Sequence, residues 1–581
     1  MKKAQIQYNI SIENPHTHIL HVRIDVSDIK SESINLKLPV WTPGHYLIRE
    51  FAGNILNESA FYKLNKLDFI KINKNTWNIN IKNNNSFSFE YDVYAFDKSV
   101  RTSYVDIDHA TIIPAGVFMI PEGFEKQQLK INIESYYHWD RISTSMTNYK
   151  GSSDEFIAKN YDELIDSPIE LGNHKILSFY ASNIYHEFAI TGKGNYEQNA
   201  IINDSIKLIE KTHQIFGDDI PYKKYTFILT LTKNMYGGLE HRNSSSLMFP
   251  RLGFNQRESY TKFLGLVAHE FFHAYNVKRI MPKEFSNFDY STEQYSKNLW
   301  IIEGITSYFD SIILVWSNLI TIKEYFKILS NKINMLENQF GKNVQNLEES
   351  SFDTWIKFYR PNANSQNMQV SYYLKGSIVA LLLDIAIIEK SNGKFSLKDI
   401  MKKLWNSYLK DKSTYTTEQF QNYCEKYATE KLDYIWKYIK STTSIDYNSI
   451  FKFIGIKLNE ISKSPKDTNN SCFGINIDDN TMEVISVNAN GPSYNNGIYA
   501  GDEIIGINNI RLDRHNYKSI LSSVKLNKKH TLTISRDGLI NNVDIKAEKL
   551  SDKIFEIKKV KSVSTKQQRL YDSWVKFPTN E

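Results

Sequence analysis

Val267-Ala268-His269-Glu270-Phe271-Phe272-His273-Ala274-Tyr275 decides how this 581-residue chain is read. His-Glu-x-x-His on a helix places two imidazoles one turn apart on one face. Two nitrogens so placed can reach a single Zn²⁺, and Glu270 stands where it can take a proton from a bound water. The surrounding run (Phe263, Leu264, Leu266, Val267, Phe271, Phe272) is too apolar for a solvated face. The pattern predicts a helix that starts near Ser259 and is stopped by Pro282. Catalytic zinc usually takes three protein ligands and keeps one position open. Glu303 is the candidate third ligand, since it lies in Leu299-Trp300-Ile301-Ile302-Glu303-Gly304-Ile305, a run that reads as a buried helix. A carboxylate there must be paired or bound to metal, because an unpaired buried charge is strongly unfavourable.

His269-Glu270-Phe271-Phe272-His273-Ala274-Tyr275-Asn276-Val277-Lys278-Arg279-Ile280, with Trp300-Ile301-Ile302-Glu303-Gly304, resembles the glycyl aminopeptidase family that carries a C-terminal PDZ domain. That family is a branch of the thermolysin-like zinc peptidases. The resemblance covers most of the chain and implies a multidomain α+β protein: an N-terminal β-sandwich, a thermolysin-like catalytic domain with a helical half, then PDZ. It implies one Zn²⁺ per chain held by His269, His273 and Glu303, with Glu270 as general base. The implied reaction removes an N-terminal Gly or Ala from peptides with a free amino end. Two rivals stand beside it: an endopeptidase of the same chemistry, and a peptide-binding or chaperone-like protein whose PDZ domain does the work.

Composition narrows the classes. A chain of 581 residues is too long for one core and should hold about three domains. A net charge of +6 with no basic block argues against a nucleic-acid partner. No uninterrupted apolar run reaches transmembrane length, so no membrane partner is expected. Cys424 and Cys472 are far apart and lack metal spacing, which suits a reducing compartment. Ala4 to Asn9 alternates like a strand where a leader would need an apolar stretch. The expected location is the cytoplasm.

Residues 1–165 read as the β domain, with period-two alternation in Tyr8–Ile12, His21–Val26 and Phe87–Val93. Leu38 to Arg49 and Ser99 to Thr102 are similar to stretches of the same family's N-terminal domain. Trp41 and Pro43 read as packing and turn residues, while Arg49 and Arg101 stand open between structural ion pairs and interface roles. The catalytic domain is expected over 166–461. Residues 200–216 have helical spacing, and the strand 225–232 runs into Gly237-Gly238-Leu239-Glu240-His241. Two glycines at a strand end let another backbone come close, as a peptide substrate adding to a sheet edge would require. Related zinc aminopeptidases carry Gly-x-Met-Glu-Asn here, and their Glu holds the substrate's amino group. Gly237 and Glu240 match, whereas Leu239 and His241 depart, which leaves the amide's role in doubt. Glu240 could instead pair with Arg242 or Arg251.

Helical periodicity returns at 322–338, 372–391, 397–411 and 417–440. Ser371-Tyr372-Tyr373-Leu374-Lys375-Gly376 resembles the Tyr-x-Lys-Gly of the related enzymes, which maps their oxyanion-stabilising phenol onto Tyr373. From the residues alone, packing at a helix start is an equal reading. A linker is expected at 462–470, within a PDZ domain taken as 462–550, and a docking tail follows at 551–581. Cys472-Phe473-Gly474-Ile475 matches the PDZ carboxylate-binding loop, so Phe473, Gly474 and Ile475 are candidates for holding peptide C-termini. The alternative is a PDZ fold that only braces the catalytic domain. The tail through Trp574 reads as a short amphipathic helix docking back.

Overall fold

The computed structural model describes residues 5–82, 84–461, 472–548 and 553–577. They form two compact units. The first takes the chain up to Tyr295 with Phe309–Leu319 and Met401–Thr416; the second takes Ser296–Tyr308, Ile320–Ile400 and the chain from Thr417.

The first unit begins with a β-rich domain. In Gln5–Ser11 and Ile19–Ser27 the apolar residues alternate inward, as half-buried strands require. Sheets of eight, five and four strands share one core that runs from Ile6 to Leu171. Strand Ile169–Gly172 pairs with Arg141–Thr144 and His109–Ile112, so the β region continues to Gly172. A second sheet of five strands follows, in the order Lys175–Ala181, Ile184–Thr191, Lys224–Thr232, Ser244–Pro250, Gly237–Glu240. Its central strand is parallel to both neighbours and buried along nearly its whole length. Helices Gln198–Phe216 and Arg257–Phe272 lie against this sheet and each other.

The second helix departs from the sequence expectation. It starts at Arg257, and regular α geometry ends at Phe272 with His273 as its C-cap. Hydrogen-bonded turns then carry the chain to Ile280, before Pro282 is reached. The carbonyl of Asn276 turns back to accept from the His273 ring, which is incompatible with further straight helix.

The second unit is helical, with the PDZ domain attached. Helix Tyr372–Lys390 is buried over most of its length, so its apolarity serves a core. The single helix expected over 417–440 is two, Thr417–Ala428 and Asp433–Lys440. Thr429 adopts φ 59°, the left-handed conformation that terminates helices. Strand Ile456–Ile461 pairs antiparallel with Ile554–Lys559, so the chain leaves for the PDZ domain and returns through one ladder. Ser330 and Asn334 of helix Ile322–Glu337, and Asn338 that caps it, bond the backbone of the returning segment. The PDZ domain has its own core from Cys472 to Ala547. The linker expected at 462–470 lies outside the described residues.

The tail helix Thr565–Val575 opens with a capping box between Ser564 and Gln567. Trp574 is fully buried, and its indole N–H donates to the Tyr308 hydroxyl at 3.1 Å. Trp574→Ala is therefore expected to destabilise this unit by about 3–5 kcal/mol. Denaturant melts followed by tryptophan fluorescence would read the loss, and an unchanged midpoint would mean that the tail is not part of the cooperative fold.

Candidate active site

Phe271 and Phe272 aim the metal-motif helix. Phe271 packs among Tyr222, Tyr225 and Phe227, and Phe272 stacks on Phe309 at 4.7 Å. The Tyr225 hydroxyl donates to the backbone carbonyls of Ser244 and Glu270, tying helix to sheet. With its aromatic pair committed to the core, the helix turns His269, Glu270 and His273 to the other side.

The two histidines are pre-set as ligands. His269 Nδ1 faces Asp310 Oδ2 at 3.2 Å, and His273 Nδ1 faces the Asn276 carbonyl at 2.5 Å. Both partners are acceptors, so each ring carries its proton on Nδ1 and presents a lone pair at Nε2. Those two Nε2 atoms lie 3.1 Å apart. Both lone pairs are thereby aimed at one point, which a shared cation can occupy. The donor set, two imidazoles oriented by a carboxylate and a carbonyl, fits a zinc ion.

Glu270 and Glu240 lie on the same side. Ligand atoms of Glu240, Glu270 and His273 all fall within 4.8 Å of one another, and all three residues are buried. Strand Gly237–Glu240 pairs with Ser244–Pro250 on one side only, and among the described residues no strand covers its outer edge. A Cβ on Gly238 would stand 2.2 Å from Glu270 Oε1, so a side chain here would displace that carboxylate. Open space lies beside Gly237.

Glu240 makes no hydrogen bond or ion pair among the described residues, although it is only 4% exposed. The two arginines considered for it are engaged elsewhere. Arg242 donates to the Lys278 carbonyl and the Tyr408 hydroxyl, and Arg251 to the carbonyls of Leu231 and Thr232. His241, which stands where the related enzymes carry Asn, bonds Asp166 at 3.0 Å. Asp166 also takes Lys278 Nζ at 3.0 Å and the Arg242 N–H at 2.9 Å. Burial works to raise the Asp166 carboxyl, but the Lys278 charge and the His241 bond prevail and hold it at about 2.

In the second unit Glu303 sits on a π turn, Trp300–Gly304, 6% exposed. Such turns are frequent at functional sites. Gly304 and Gly376 cross so closely that a Cβ on Gly304 would lie 2.6 Å from the Gly376 Cα. That crossing brings the first turn of helix Tyr372–Lys390 beside Glu303. Burial and then the Glu303 carboxylate raise the Tyr373 phenol well above its ordinary range. Tyr372 is buried at 1% exposure, whereas Tyr373 is half-buried and its hydroxyl lies 3.0 Å from that of Tyr359. Tyr359 is held by stacking on Trp355.

The structure thus gathers His269, His273, Glu270, Glu240, Gly237 and Gly238 in the first unit, and Glu303, Tyr373 and Tyr359 in the second. Asp310, Tyr359 and Asp166 were missed by sequence reasoning. Asp310 lies seven residues past Glu303, two helical turns on, a spacing that could have flagged it. In the PDZ domain, Gly474 has φ 71°, and the carbonyls of Phe473 and Gly474 accept from Ser493 and Asn488, fixing the candidate carboxylate loop. Ile475 opens the strand Ile475–Ile477.

The comparisons agree with this architecture. Residues 7–173 match the Peptidase M61 N-terminal domain, 262–379 the M61 glycyl aminopeptidase and 453–547 a PDZ domain. An aminopeptidase N family protein from Idiomarina loihiensis is 28% identical, with a TM-score of 0.92 over 98% of this chain and 100% of that one. More distant are yeast LTA4 hydrolase in complex with bestatin (13%, TM-score 0.44, 77% of this chain and 67% of that one) and Legionella pneumophila aminopeptidase A in complex with aspartic acid (11%, 0.47, 96% and 57%). No curated protein matches. The fold is aminopeptidase-like and the chain is a metallopeptidase. It carries both peptidase modules of the M61 glycyl aminopeptidase family, followed by a PDZ domain.

Gly238→Ala should push the Glu270 carboxylate out of place and lower peptidase turnover by about 10²-fold or more, as a misplacement near 1 Å does. Circular dichroism should stay native. Wild-type turnover in this variant would mean that Glu270 can move aside without consequence.

Proposed function

We propose that this metallopeptidase is a zinc aminopeptidase that releases small N-terminal residues, Gly or Ala, from peptides with a free amino end. The observation that carries the reading is Glu240, a buried carboxylate without a protein partner, within 4.8 Å of Glu270 and His273. An α-ammonium would satisfy it with a charge-assisted hydrogen bond, worth about 1.5–3 kcal/mol. An endopeptidase has no use for a stranded anion at that point.

His269, His273 and Glu303 would hold one Zn²⁺ per chain. When bound, the ion supplies a Lewis acid and makes a water acidic enough to lose its proton near neutral pH. Glu270 takes that proton and returns it to the leaving amine. Tyr373 donates its O–H to the oxyanion of the scissile carbonyl, and its raised pKa keeps it a donor at working pH. The substrate backbone extends the sheet beside Gly237 and Gly238. Peptide C-termini are the proposed ligands of the Phe473-Gly474-Ile475 loop, and amidated peptides should bind it less well than free acids.

Metal analysis and kinetics test the assignment. Glu303→Gln should lose most of the zinc. Glu270→Gln should keep it and lose turnover, and Tyr373→Phe should lower kcat by about 10²–10³. Glu240→Ala should raise KM for unblocked substrates and erase the preference over N-acetylated ones, with zinc unchanged. Full zinc in Glu303→Gln would remove that residue from the ligand set, and a retained amine preference in Glu240→Ala would remove Glu240 as the amine anchor.

A further inference from the structure

A turn of the N-terminal β domain reaches the Glu240 carboxylate. Thr42-Pro43-Gly44-His45 closes with a hydrogen bond from the His45 N–H to the Thr42 carbonyl at 2.9 Å. Pro at the second position and Gly at the third with φ 93° are the marks of a type II turn. The turn is pinned on both sides. Trp41 donates its indole N–H to the Thr292 carbonyl at 2.7 Å, the Val40 N–H bonds the Tyr290 carbonyl, and the Tyr46 ring packs on Phe285 at 4.7 Å. At its apex the backbone touches the Glu240 carboxylate. A Cβ added to Gly44 would lie 2.8 Å from both Oε1 and Oε2.

We propose that this turn is the end wall of the substrate cleft: Gly44 backs the Glu240 carboxylate, so the site accepts a primary α-ammonium with nothing beyond it. The inference rests on Glu240 as the amine anchor and adds what stops the chain there. Across one residue the amine nitrogen and the scissile carbon are about 2.5 Å apart, the sum of two bonds projected along the chain. That span suits a carboxylate lying within 4.8 Å of Glu270 and His273. A second residue would need about 3.3–3.6 Å more, in space the turn fills. Charge selects the free amine, and the wall selects its size.

The test separates size from charge. Wild-type full-length protein is assayed on a glycyl amide, its N,N-dimethylglycyl counterpart and its N-acetyl counterpart. The dimethyl compound keeps a positive charge and one N–H donor. With the wall in place it should lose about tenfold or more in kcat/KM, approaching the acetylated one, because added bulk meets fixed backbone. Dimethylglycyl turnover within about twofold of glycyl would overturn the proposal, since two methyl groups would then have found room. Gly44→Ala should narrow the discrimination between free and acetylated substrate by displacing Glu240. Gly123→Ala is the control: it sits at φ 86° with no neighbour within 4 Å, so it carries the same backbone strain without the contact. Equal discrimination in the two variants would also overturn the wall. If Gly44→Ala fails to fold, the wild-type substrate series decides alone. Failure of the amine anchor itself reads differently, as an unchanged free-to-acetyl ratio in Glu240→Ala.

Discussion

Two imidazole nitrogens 3.1 Å apart, each offering a lone pair to the other, form the constraint around which this site is organised. The fold enforces that arrangement. Asp310 and the Asn276 carbonyl commit both Nδ1 protons, so neither ring can flip tautomer to donate across the gap without stranding an acceptor behind it. The apolar packing of Phe271 and Phe272 prevents the helix from rotating the pair apart. The neighbouring carboxylates of Glu270 and Glu240 bring negative charge to the same point. A site so built favours cations, both a resident ion and an incoming ammonium.

Glycines set the distances. Gly238 lets the edge strand pass over the Glu270 carboxylate, Gly44 lets a turn from the β domain rest on Glu240, and Gly304 against Gly376 seats the Tyr372–Lys390 helix on the Glu303 turn. In the first two cases a carboxylate, and in the third a backbone, occupies the place a glycine's side chain would take. Carboxylates wedged against backbone in this way keep one rotamer, and an acid or base is useful only when held at a fixed distance from what it acts on.

Much of this was legible in the sequence, and the limits are physical. His-Glu-x-x-His and the buried Glu303 announce themselves because spacing along a helix is spacing in space. The alternation in Gln5–Ser11 and Ile19–Ser27 gave the β domain for the same reason, since a strand's period is local. Tyr359 left no such trace: it lies fourteen positions before Tyr373, and the short helix Ser365–Met368 between them sets no shared period. Gly44 and Glu240 are 196 positions apart, and no period links them. The helix expected to run as far as Pro282 ended at His273, because a side-chain bond to a nearby carbonyl outcompeted helix propensity.

Asp166 shows how the substitution of His for Asn at position 241 can be accommodated. A buried carboxylate is tolerable only with partners, and this one has Lys278, His241 and the Arg242 N–H. Lys278 follows the metal-motif helix and His241 follows the strand Gly237–Glu240, so one anion ties the segment after His273 to the segment after Glu240. His241 thereby fixes the backbone next to Glu240 from behind, while Gly44 fixes its carboxylate from the front. Its work is to hold the strand end, which leaves the Glu240 carboxylate free of that task.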